Sequence, residues 1–461
     1  MRKFCFLFFT MSSFLLSVPM SAQQQGFVHE TSSEYTAPED PAVIEKLEQW
    51  RDLKFGVLIH WGLYSVPGIV ESWSICSEDV DWIRRRDDMS YDEYKQWYWG
   101  LKDIFNPVDF DPEAWAEMIA GAGARYAIFT SKHHDGFCMF DTDETDFSIA
   151  SGPFGENEKA DVLKHVLNAF RHNGIMPGVY FSKPDWHCPY YWDPHYATPD
   201  RHVNYVIDRH PESWQKYSEY TKRQINELTT RYGDIDILWL DGGWVAAPDE
   251  DIDMDGIVAM ARRNQPGLIT VDRTVRGKNE NYLTPERSIP KTQLPYPWES
   301  CITMTNDWGW VPDAQYKSSA KIISLLSEVV AKGGCLLLGI GPDAKGVFED
   351  KVADTMAEIG RWLDVNGEAI YGAGVLEHYN DGLVWFTSSE DGKKVYAIQT
   401  VDDATGEIPA SVNWSGNLPS GKMKLLQTGK KVGYKIEGNR VTVKLPSGVN
   451  RKEPLVFVYE L

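Results

Sequence analysis

The sequence predicts an α/β fold: a (β/α)8-like barrel of the irregular TIM type, followed by a C-terminal antiparallel β-sandwich. Three observations lead to this prediction. Short apolar runs alternate with longer helical patterns over roughly 330 residues, which fits a barrel or a doubly wound parallel sheet. No G-x-G-x-x-G motif follows the first run, which disfavours the dinucleotide-binding form of the doubly wound sheet. After about residue 375 the runs become short and are separated by turns, as in an antiparallel sandwich.

The N-terminus has the pattern of a secretory signal peptide, which we assign to residues 1–22. Two basic residues precede the apolar run Phe4–Leu16, and small residues follow it up to Ala22. The run is shorter than the roughly 20 residues that a transmembrane helix needs. The mature protein is therefore predicted to be periplasmic or secreted and not inserted in a membrane.

Residues 23–372 are predicted to form the barrel. Its strand candidates are rich in Val, Ile, Leu and aromatic residues and end in Gly, Pro or polar residues. They are Phe55–His60, Tyr126–Ser131, Met176–Ser182, Ile235–Asp241, Leu268–Asp272 and Cys335–Ile340. The predicted helices are Pro112–Ala122, Asp161–Asn173, Pro211–Tyr232, Asp253–Asn264, Ser318–Lys332 and Asp350–Asn366.

Residues 373–461 are predicted to form the sandwich. The strand candidates are short and alternate between apolar and polar residues. They are Leu383–Phe386, Val395–Thr400, Lys422–Leu426, Val441–Leu445 and Leu455–Tyr459. The pairs Asp391-Gly392 and Glu437-Gly438 are typical of hairpin turns.

Composition excludes several classes of protein. Lys and Arg number 46 against 67 for Asp and Glu, which gives a formal charge of −21. Such a charge repels a phosphate backbone, so nucleic-acid binding is not expected. Five cysteines follow the predicted signal peptide, and none forms a C-x-x-C pair, which argues against zinc ribbons and thioredoxin chemistry. We expect these cysteines to be buried free thiols.

No cofactor and no metal ion is predicted. The adjacent His133 and His134 would point to opposite sides of a strand, so they are poorly placed to bind one ion. No H-E-x-x-H motif occurs. The acidic run that begins at Asp251 resembles the start of a calcium loop, but Arg262 stands where such a loop needs glutamate.

Polar residues at successive strand ends predict the position of an active site. In parallel α/β barrels the active site gathers at the carboxyl ends of the strands. Two carboxyl groups and several aromatic residues at these strand ends suggest glycoside hydrolysis, which requires two carboxyl groups, one of them a proton donor. Asp241 is the better nucleophile candidate, because it ends an apolar strand and is followed by two glycines. The polar and aromatic residues at the strand ends are His60, His133, His134, Tyr180, Asp241, Arg273 and Glu299.

Five motifs in order make the sequence similar to the glycoside hydrolase family 29 α-L-fucosidases. They are KFGVLIHWG at 54–62, KHHDGF at 132–137, WLDG at 239–242, WESC at 298–301 and GGCLLLGIGP at 333–342. The resemblance covers about residues 45–372, and the β-rich tail fits the C-terminal sandwich of the family. It implies a retaining exo-glycosidase that releases terminal α-L-fucose from a fucosylated oligosaccharide or glycoconjugate.

The resemblance also assigns catalytic roles. Asp241 is expected to be the nucleophile that forms a covalent glycosyl-enzyme. Glu299 is our choice for the acid/base, and Glu286 is its rival. Retention requires the two carboxyl groups to lie about 5–5.5 Å apart.

The remaining expected roles concern the sugar. The histidines matching His60, His133 and His134 hydrogen-bond fucose hydroxyls in the family, and Tyr180, Trp239 and Arg273 match residues that line the sugar site. Trp73 matches the aromatic residue that packs near the C6 methyl group.

One departure from the family leaves the sugar open. Many relatives have Ser-Glu-Trp where this chain has Glu71-Ser72-Trp73. An α-L-galactosidase on the same scaffold is therefore an alternative, and so is a sugar-binding protein without activity. A metal-dependent hydrolase is a third, weaker alternative.

Overall fold

A computed structural model describes residues 35–78, 83, 85–86 and 88–461. The signal peptide predicted for residues 1–22 lies outside the described residues. Among the described residues, no helix is both long and apolar enough to cross a membrane.

The centre of the molecule is a parallel sheet. Its strands are almost entirely buried, which explains why they appear in the sequence as continuous apolar runs. They are β1 (Phe55–Ile59), β2 (Tyr126–Lys132), β3 (Met176–Ser182), β4 (Ile237–Asp241), β5 (Ile269–Asp272), β6 (Glu299–Thr303) and β7 (Cys335–Ile340). Their order across the sheet is β5-β4-β3-β2-β1-β7-β6.

An irregular segment, residues 280–287, joins β5 to β6. The amide of Asn281 donates to the carbonyl of Thr270 (2.9 Å) beside β5. Further along, the amide of Arg287 donates to the carbonyl of Cys301 (2.8 Å) in β6. The segment runs parallel to β6 through the bridges Leu283–Trp298 and Glu286–Cys301, so it occupies the position of an eighth strand between β5 and β6. The predicted irregular barrel is confirmed, with seven regular strands in its sheet.

Helices surround the sheet. On the helices, apolar residues that recur every three or four positions face the strands. Proline is the first residue of α1, α3 and α5, where the backbone N–H that proline lacks would have no partner within the helix. The helices are α1 (Pro41–Leu53), α2 (Tyr91–Trp99), α3 (Pro112–Gly121), α4 (Val162–His172), α5 (Pro211–Arg231), α6 (Met254–Asn264), α7 (Ser319–Ala331) and α8 (Asp350–Asn366).

The lower end of the barrel, where the strands begin, is closed by packed aromatic residues. Trp50 of α1 is fully buried and stacks on Tyr282 with ring centroids 4.0 Å apart. Tyr126, the first residue of β2, lies edge-on to Trp50 at 6.1 Å. This end is therefore a sealed core, and only the upper end can hold a site.

The C-terminal region contains two antiparallel sheets. Their strands are β8 (Asn380–Asp381), β9 (Val384–Ser388), β10 (Lys394–Gln399), β11 (Ser411–Ser415), β12 (Met423–Leu425), β13 (Lys430–Val432), β14 (Tyr434–Glu437), β15 (Arg440–Lys444) and β16 (Leu455–Glu460). One sheet has the order β13-β12-β16-β10-β9-β8, and the other β11-β15-β14. Trp414 of the second sheet packs on Phe457 and Tyr459 of the first.

The sandwich lies against the outer helices of the barrel. The indole of Trp362 in α8 donates to the carbonyl of Pro454 (2.8 Å). Both predicted hairpins are present, with Gly392 and Gly438 at positive φ. The sandwich thus packs on the outside of the barrel.

The strand and helix predictions agree with the structure within two residues at each end. The sequence did not predict α1 or α2, and it gave β6 no range, taking Trp298-Glu299 as the end of a strand that in fact begins at Glu299. It also missed the short strands β8, β11, β13 and β14. The described cysteines are free and buried, as expected.

Candidate active site

Asp241 stands at the upper edge of the barrel as the last residue of β4. The next residue, Gly242, has a φ of +85°, and a Cβ there would lie 2.2 Å from the Pro184 ring. Only glycine fits this close approach, and the chain turns away at once. The turn leaves the Asp241 side chain 18% exposed at the mouth of the barrel.

Two side chains hydrogen-bond the Asp241 carboxylate, and a third lies near it. The Tyr180 hydroxyl donates to Oδ2 (2.7 Å), and Arg273 Nη1 donates to Oδ1 (2.9 Å). His134 Nε2 lies 3.8 Å from Oδ2. Burial opposes ionisation, but the charge of Arg273 and the other contacts outweigh it, so the pKa of Asp241 lies far below its ordinary value. These contacts therefore favour the ionised form of Asp241.

Arg273 also contacts a second carboxyl group, that of Glu286. Its Nη2 donates to Glu286 Oε2 (2.8 Å), while Nη1 serves Asp241. The indole of Trp308 donates to the other oxygen, Oε1 (3.2 Å). The Glu286 side chain is 28% exposed. Asp241 and Glu286 are thus neighbours across a single guanidinium group, and both are open to solvent.

The structure does not bring Glu299 to this site. Glu299 begins β6 instead of following a strand, so it lies at the lower end of the barrel with no exposed surface. Its Oε2 accepts from Tyr126 (2.7 Å), and its Oε1 accepts from the Trp239 indole (3.2 Å). The prediction that Glu299 stands at a carboxyl strand end is wrong, because the Trp-Glu pair marks a strand start.

Trp239 separates Glu299 from Asp241. Its side chain is 1% exposed. It stacks under Tyr180, with ring centroids 5.3 Å apart, and Arg273 lies 4.4 Å above its ring. Trp239 therefore supports the residues that hold Asp241 and forms the floor beneath them.

Three histidines lie together beside Asp241. His60 follows β1, and the rings of His133 and His134 are 4.3 Å apart. The expectation that these two point to opposite sides is wrong, because β2 ends at Lys132 and the chain then turns.

The same histidines are neutral. Burial lowers the pKa of His133 to about 4, and it lowers the pKa values of His60 and His134 well below the ordinary value. A neutral imidazole both donates and accepts hydrogen bonds, which suits sugar hydroxyls. His60 Nδ1 is buried and has no hydrogen-bond partner in the described part of the chain.

Aromatic residues form one wall of the site. Trp73 packs edge-on against His134, with ring centroids 5.2 Å apart, and against Trp186 at 5.4 Å. Trp244 lies 5.2 Å from His134 on the same side. The Arg201 guanidinium rests against both half-buried tryptophans, 4.7 Å from the Trp73 ring and 5.1 Å from the Trp244 ring. This wall offers an apolar surface next to the neutral histidines.

Part of this wall and one contact of Glu286 were not predicted from the sequence, where Trp186, Trp244, Arg201 and Trp308 had no assigned role. Trp244 had a signal, since it follows Asp241 by three residues after two glycines. Arg201 and Trp186 lie in a long loop, where no periodic pattern shows which side chains turn inward.

The three side chains of the turn Glu71-Ser72-Trp73 point in different directions and contact different residues. The Ser72 hydroxyl hydrogen-bonds His133 Nδ1. Glu71 is 3% exposed and points instead towards the loop that follows β6. Trp73 packs against His134 and Trp186.

The described residues contain no group of three His, Cys, Asp or Glu side chains arranged to hold a metal ion.

Comparison with known proteins identifies the family. A family model described as Alpha-L-fucosidase matches residues 22–368. Plasma alpha-L-fucosidase of Homo sapiens is 28% identical over 424 residues, which cover 87% of this chain and 86% of the relative.

Solved structures agree with this match. Alpha-L-fucosidase isoenzyme 1 from Paenibacillus thiaminolyticus has a TM-score of 0.75 at 29% identity, covering 91% of this chain and 99% of that one. Thermotoga maritima alpha-fucosidase in complex with fucose has a TM-score of 0.70 at 27% identity, covering 90% and 98%. A GH29 alpha-L-fucosidase from Bacteroides thetaiotaomicron, trapped as a covalent intermediate, has a TM-score of 0.70 at 25% identity, covering 93% and 98%. With the family model matched over most of its length, this chain belongs to the alpha-L-fucosidase family, glycoside hydrolase family 29.

Proposed function

We propose that this chain is a retaining α-L-fucosidase in which Asp241 is the nucleophile and Glu286 is the acid/base. The observation that carries the proposal is the bridge through Arg273, which places the two solvent-accessible carboxyl groups on different nitrogens of one guanidinium group. Glu299 lacks such access, because it is enclosed below Trp239.

In the first step, an Asp241 oxygen attacks the anomeric carbon of the sugar. The bond from that carbon to the leaving oxygen breaks, and the leaving oxygen takes the proton of Glu286. The products are an aglycone alcohol, a glycosyl ester on Asp241 and a Glu286 carboxylate.

In the second step, Glu286 removes a proton from water, and the resulting hydroxide equivalent attacks the anomeric carbon. The ester bond breaks, which restores the Asp241 carboxylate and the protonated Glu286. Two inversions at one carbon give net retention.

Arg273 suits both states of this cycle. Before the first step the guanidinium faces the Asp241 carboxylate and a neutral Glu286. After it, Asp241 is an uncharged ester and Glu286 is the carboxylate. The cation therefore pairs with one negative charge throughout, and the transfer of that charge needs no large movement of the protein.

The walls of the site fit fucose, the ligand named for the Thermotoga maritima relative. Neutral histidines can bond ring hydroxyls as donors and acceptors. The tryptophans Trp73 and Trp244 provide an apolar surface, which favours the methyl group of a 6-deoxy sugar. We propose a fucosylated oligosaccharide or glycoconjugate as the substrate.

We also propose that the protein is exported. The basic, apolar and small-residue pattern of residues 1–22 supports this, and one relative is a plasma alpha-L-fucosidase. Determining the N-terminal sequence of the protein from its native host tests the export proposal, and an uncleaved N-terminus would contradict it.

Proton NMR of the first sugar released from an aryl α-L-fucoside tests the reaction. We expect the α-anomer to appear first and then to mutarotate. An aryl α-L-galactoside, run beside it, is expected to be the poorer substrate. Faster turnover of the galactoside would favour the galactosidase alternative, and no turnover of either would favour a sugar-binding protein.

A further inference from the structure

Glu71 is a buried carboxyl group to which the catalytic steps above assign no role. Its Oε1 accepts hydrogen bonds from the amides of Trp308 (2.7 Å) and Gly309 (2.8 Å). Two successive amides that converge on one oxygen fix the orientation of the peptide between them. Glu71 thereby holds the loop after β6 at a defined place.

The Trp308–Gly309 peptide approaches its neighbours closely. A Cβ at Gly309 would lie 2.9 Å from the Tyr64 ring, so only glycine allows this path. The Trp308 ring itself lies over Gly339 of β7, where a Cβ would come within 2.6 Å of it. The backbone and the ring of Trp308 are thus fixed by separate contacts.

The Trp308 indole, held in this position, contacts the active site. Its Nε1 donates to Glu286 Oε1 (3.2 Å), while Arg273 donates to Oε2 (2.8 Å). The terminal torsion of a glutamate is soft, so a single donor leaves the carboxyl plane free to turn. Two donors on two oxygens fix that plane, and proton transfer depends on its orientation.

We propose that Glu71 is a positioning residue for the acid/base: it holds the Trp308–Gly309 peptide so that the Trp308 indole orients the Glu286 carboxyl group. This inference rests on the proposed role of Glu286. In this proposal Glu71 does not act on the sugar directly. Its neighbours Ser72 and Trp73 instead contact His133 and His134, the histidines proposed to bind the sugar.

Glu71 can accept these two hydrogen bonds whether or not its carboxyl group is ionised. Burial raises the pKa of Glu71 to about 7, with Asp307 acting in the same direction and the Gly309 amide and Arg287 opposing it. Protonated or ionised, Oε1 remains an acceptor for both amides. A glutamine at this position offers the same acceptor, whereas a leucine offers none.

The test compares Glu71→Leu and Glu71→Gln on two aryl α-L-fucosides. Phenol is a poor leaving group that needs the acid, and 2,4-dinitrophenol is a good one that does not. We expect Glu71→Leu to lower kcat/KM roughly tenfold more for the phenyl than for the dinitrophenyl substrate, since it misorients the proton donor. Glu71→Gln is expected to recover most of this loss. Inhibition by free L-fucose should be unchanged in both variants.

A matched control and a double variant make the test specific. Glu349 accepts from Trp310 (2.7 Å) and Tyr316 (2.9 Å) in the same loop, so Glu349→Leu removes a carboxyl group without touching the Trp308 peptide. It is expected to affect both substrates alike. In a Glu286→Ala background, Glu71→Leu is expected to lose its selectivity for the poor leaving group, because the carboxyl group that Trp308 orients is gone.

Specific outcomes overturn the inference. Equal losses on both substrates with weaker L-fucose inhibition would show that Glu71 acts on the sugar, and selectivity that persists in the Glu286→Ala background would show another route. If Glu71→Leu does not fold, Trp308→Phe removes the same indole donor, and a lack of selectivity there overturns the inference. The acid/base assignment itself is tested separately with the single variant Glu286→Ala. If that variant loses the same activity on the phenyl and dinitrophenyl substrates, the assignment of Glu286 fails.

Discussion

The upper and lower ends of the barrel each hold a glutamate, and the two are in opposite situations. Glu286, at the upper end, is 28% exposed and shares Arg273 with Asp241. Glu299, at the lower end, has no exposed surface and is enclosed by Tyr126 and Trp239. The comparison teaches that the direction of the strand decides which glutamate can reach a substrate.

The two ends also differ in how they treat charge. Arg273 keeps Asp241 ionised at the upper end. At the lower end, burial raises the pKa of Glu299 to about 7, although Tyr126 and Trp239 donate hydrogen bonds to it. The upper end is thus organised for charge transfer, and the lower end for packing.

The largest expected effect on activity comes from removing the proposed nucleophile at the upper end of the barrel. Asp241→Gly removes the group that forms the glycosyl ester, so we expect kcat to fall by roughly 10⁴- to 10⁶-fold, the scale for loss of a covalent nucleophile. The measurement is nitrophenol release from an aryl α-L-fucoside. Turnover within tenfold of the wild type would remove Asp241 from this role.

The second effect is on the acid/base. Glu286→Ala is expected to lower kcat/KM for a natural fucosylated oligosaccharide by roughly 10²- to 10⁴-fold, the usual contribution of general acid–base catalysis. A dinitrophenyl fucoside, which needs no proton, should lose far less. Equal losses on both substrates would contradict a proton-transfer role for Glu286.

The third effect is on the bridge between the two carboxylates. Arg273→Lys keeps the positive charge but loses the fork that reaches Asp241 and Glu286 together. We expect kcat to fall by roughly 10²- to 10³-fold, the cost of losing one preorganised donor. A lysine variant with wild-type kcat would show that the fork is dispensable.

The smallest effect on activity is expected at the lower end. Glu299→Gln should leave kcat/KM within about threefold of the wild type for good and poor leaving groups alike, because Trp239 separates it from the substrate. Selective loss on poor leaving groups would instead support Glu299 as the acid/base.

The same variant has an expected pH signature in stability. Because the folded-state pKa of Glu299 is raised from 4.5 to about 7, its stabilising contribution is complete below about pH 4.5 and is lost as the pH rises through about 7. The stability deficit of Glu299→Gln relative to the wild type should therefore shrink between about pH 5 and about pH 8. Denaturant unfolding of both proteins across this range measures it, and a deficit that grows with pH would contradict the sign.

Much of the fold and part of the site could be predicted from the sequence. Buried parallel strands give continuous apolar runs, so Met176–Ser182 and Cys335–Ile340 were located correctly. Asp241 could be found because an apolar strand and two glycines frame it.

The rest depended on irregular backbone. Residues 280–287 take the place of a strand without its periodicity, so nothing in the pattern put Glu286 at the upper end. A strand at Trp298-Glu299 was expected, but its bounds were not, and Glu299 was placed at the wrong end of β6. The pair His133-His134 lies in a turn just past β2, where the alternation of a strand no longer applies.

Chemical rescue by azide distinguishes the nucleophile from the acid/base, since the configuration of the product reports which carboxyl group azide has replaced. With an activated aryl α-L-fucoside, the account predicts β-L-fucosyl azide from Asp241→Gly and α-L-fucosyl azide from Glu286→Ala. It predicts no fucosyl azide from Glu299→Ala. Formation of α-L-fucosyl azide by the Glu299 variant, and none by the Glu286 variant, would contradict the pairing of Asp241 with Glu286.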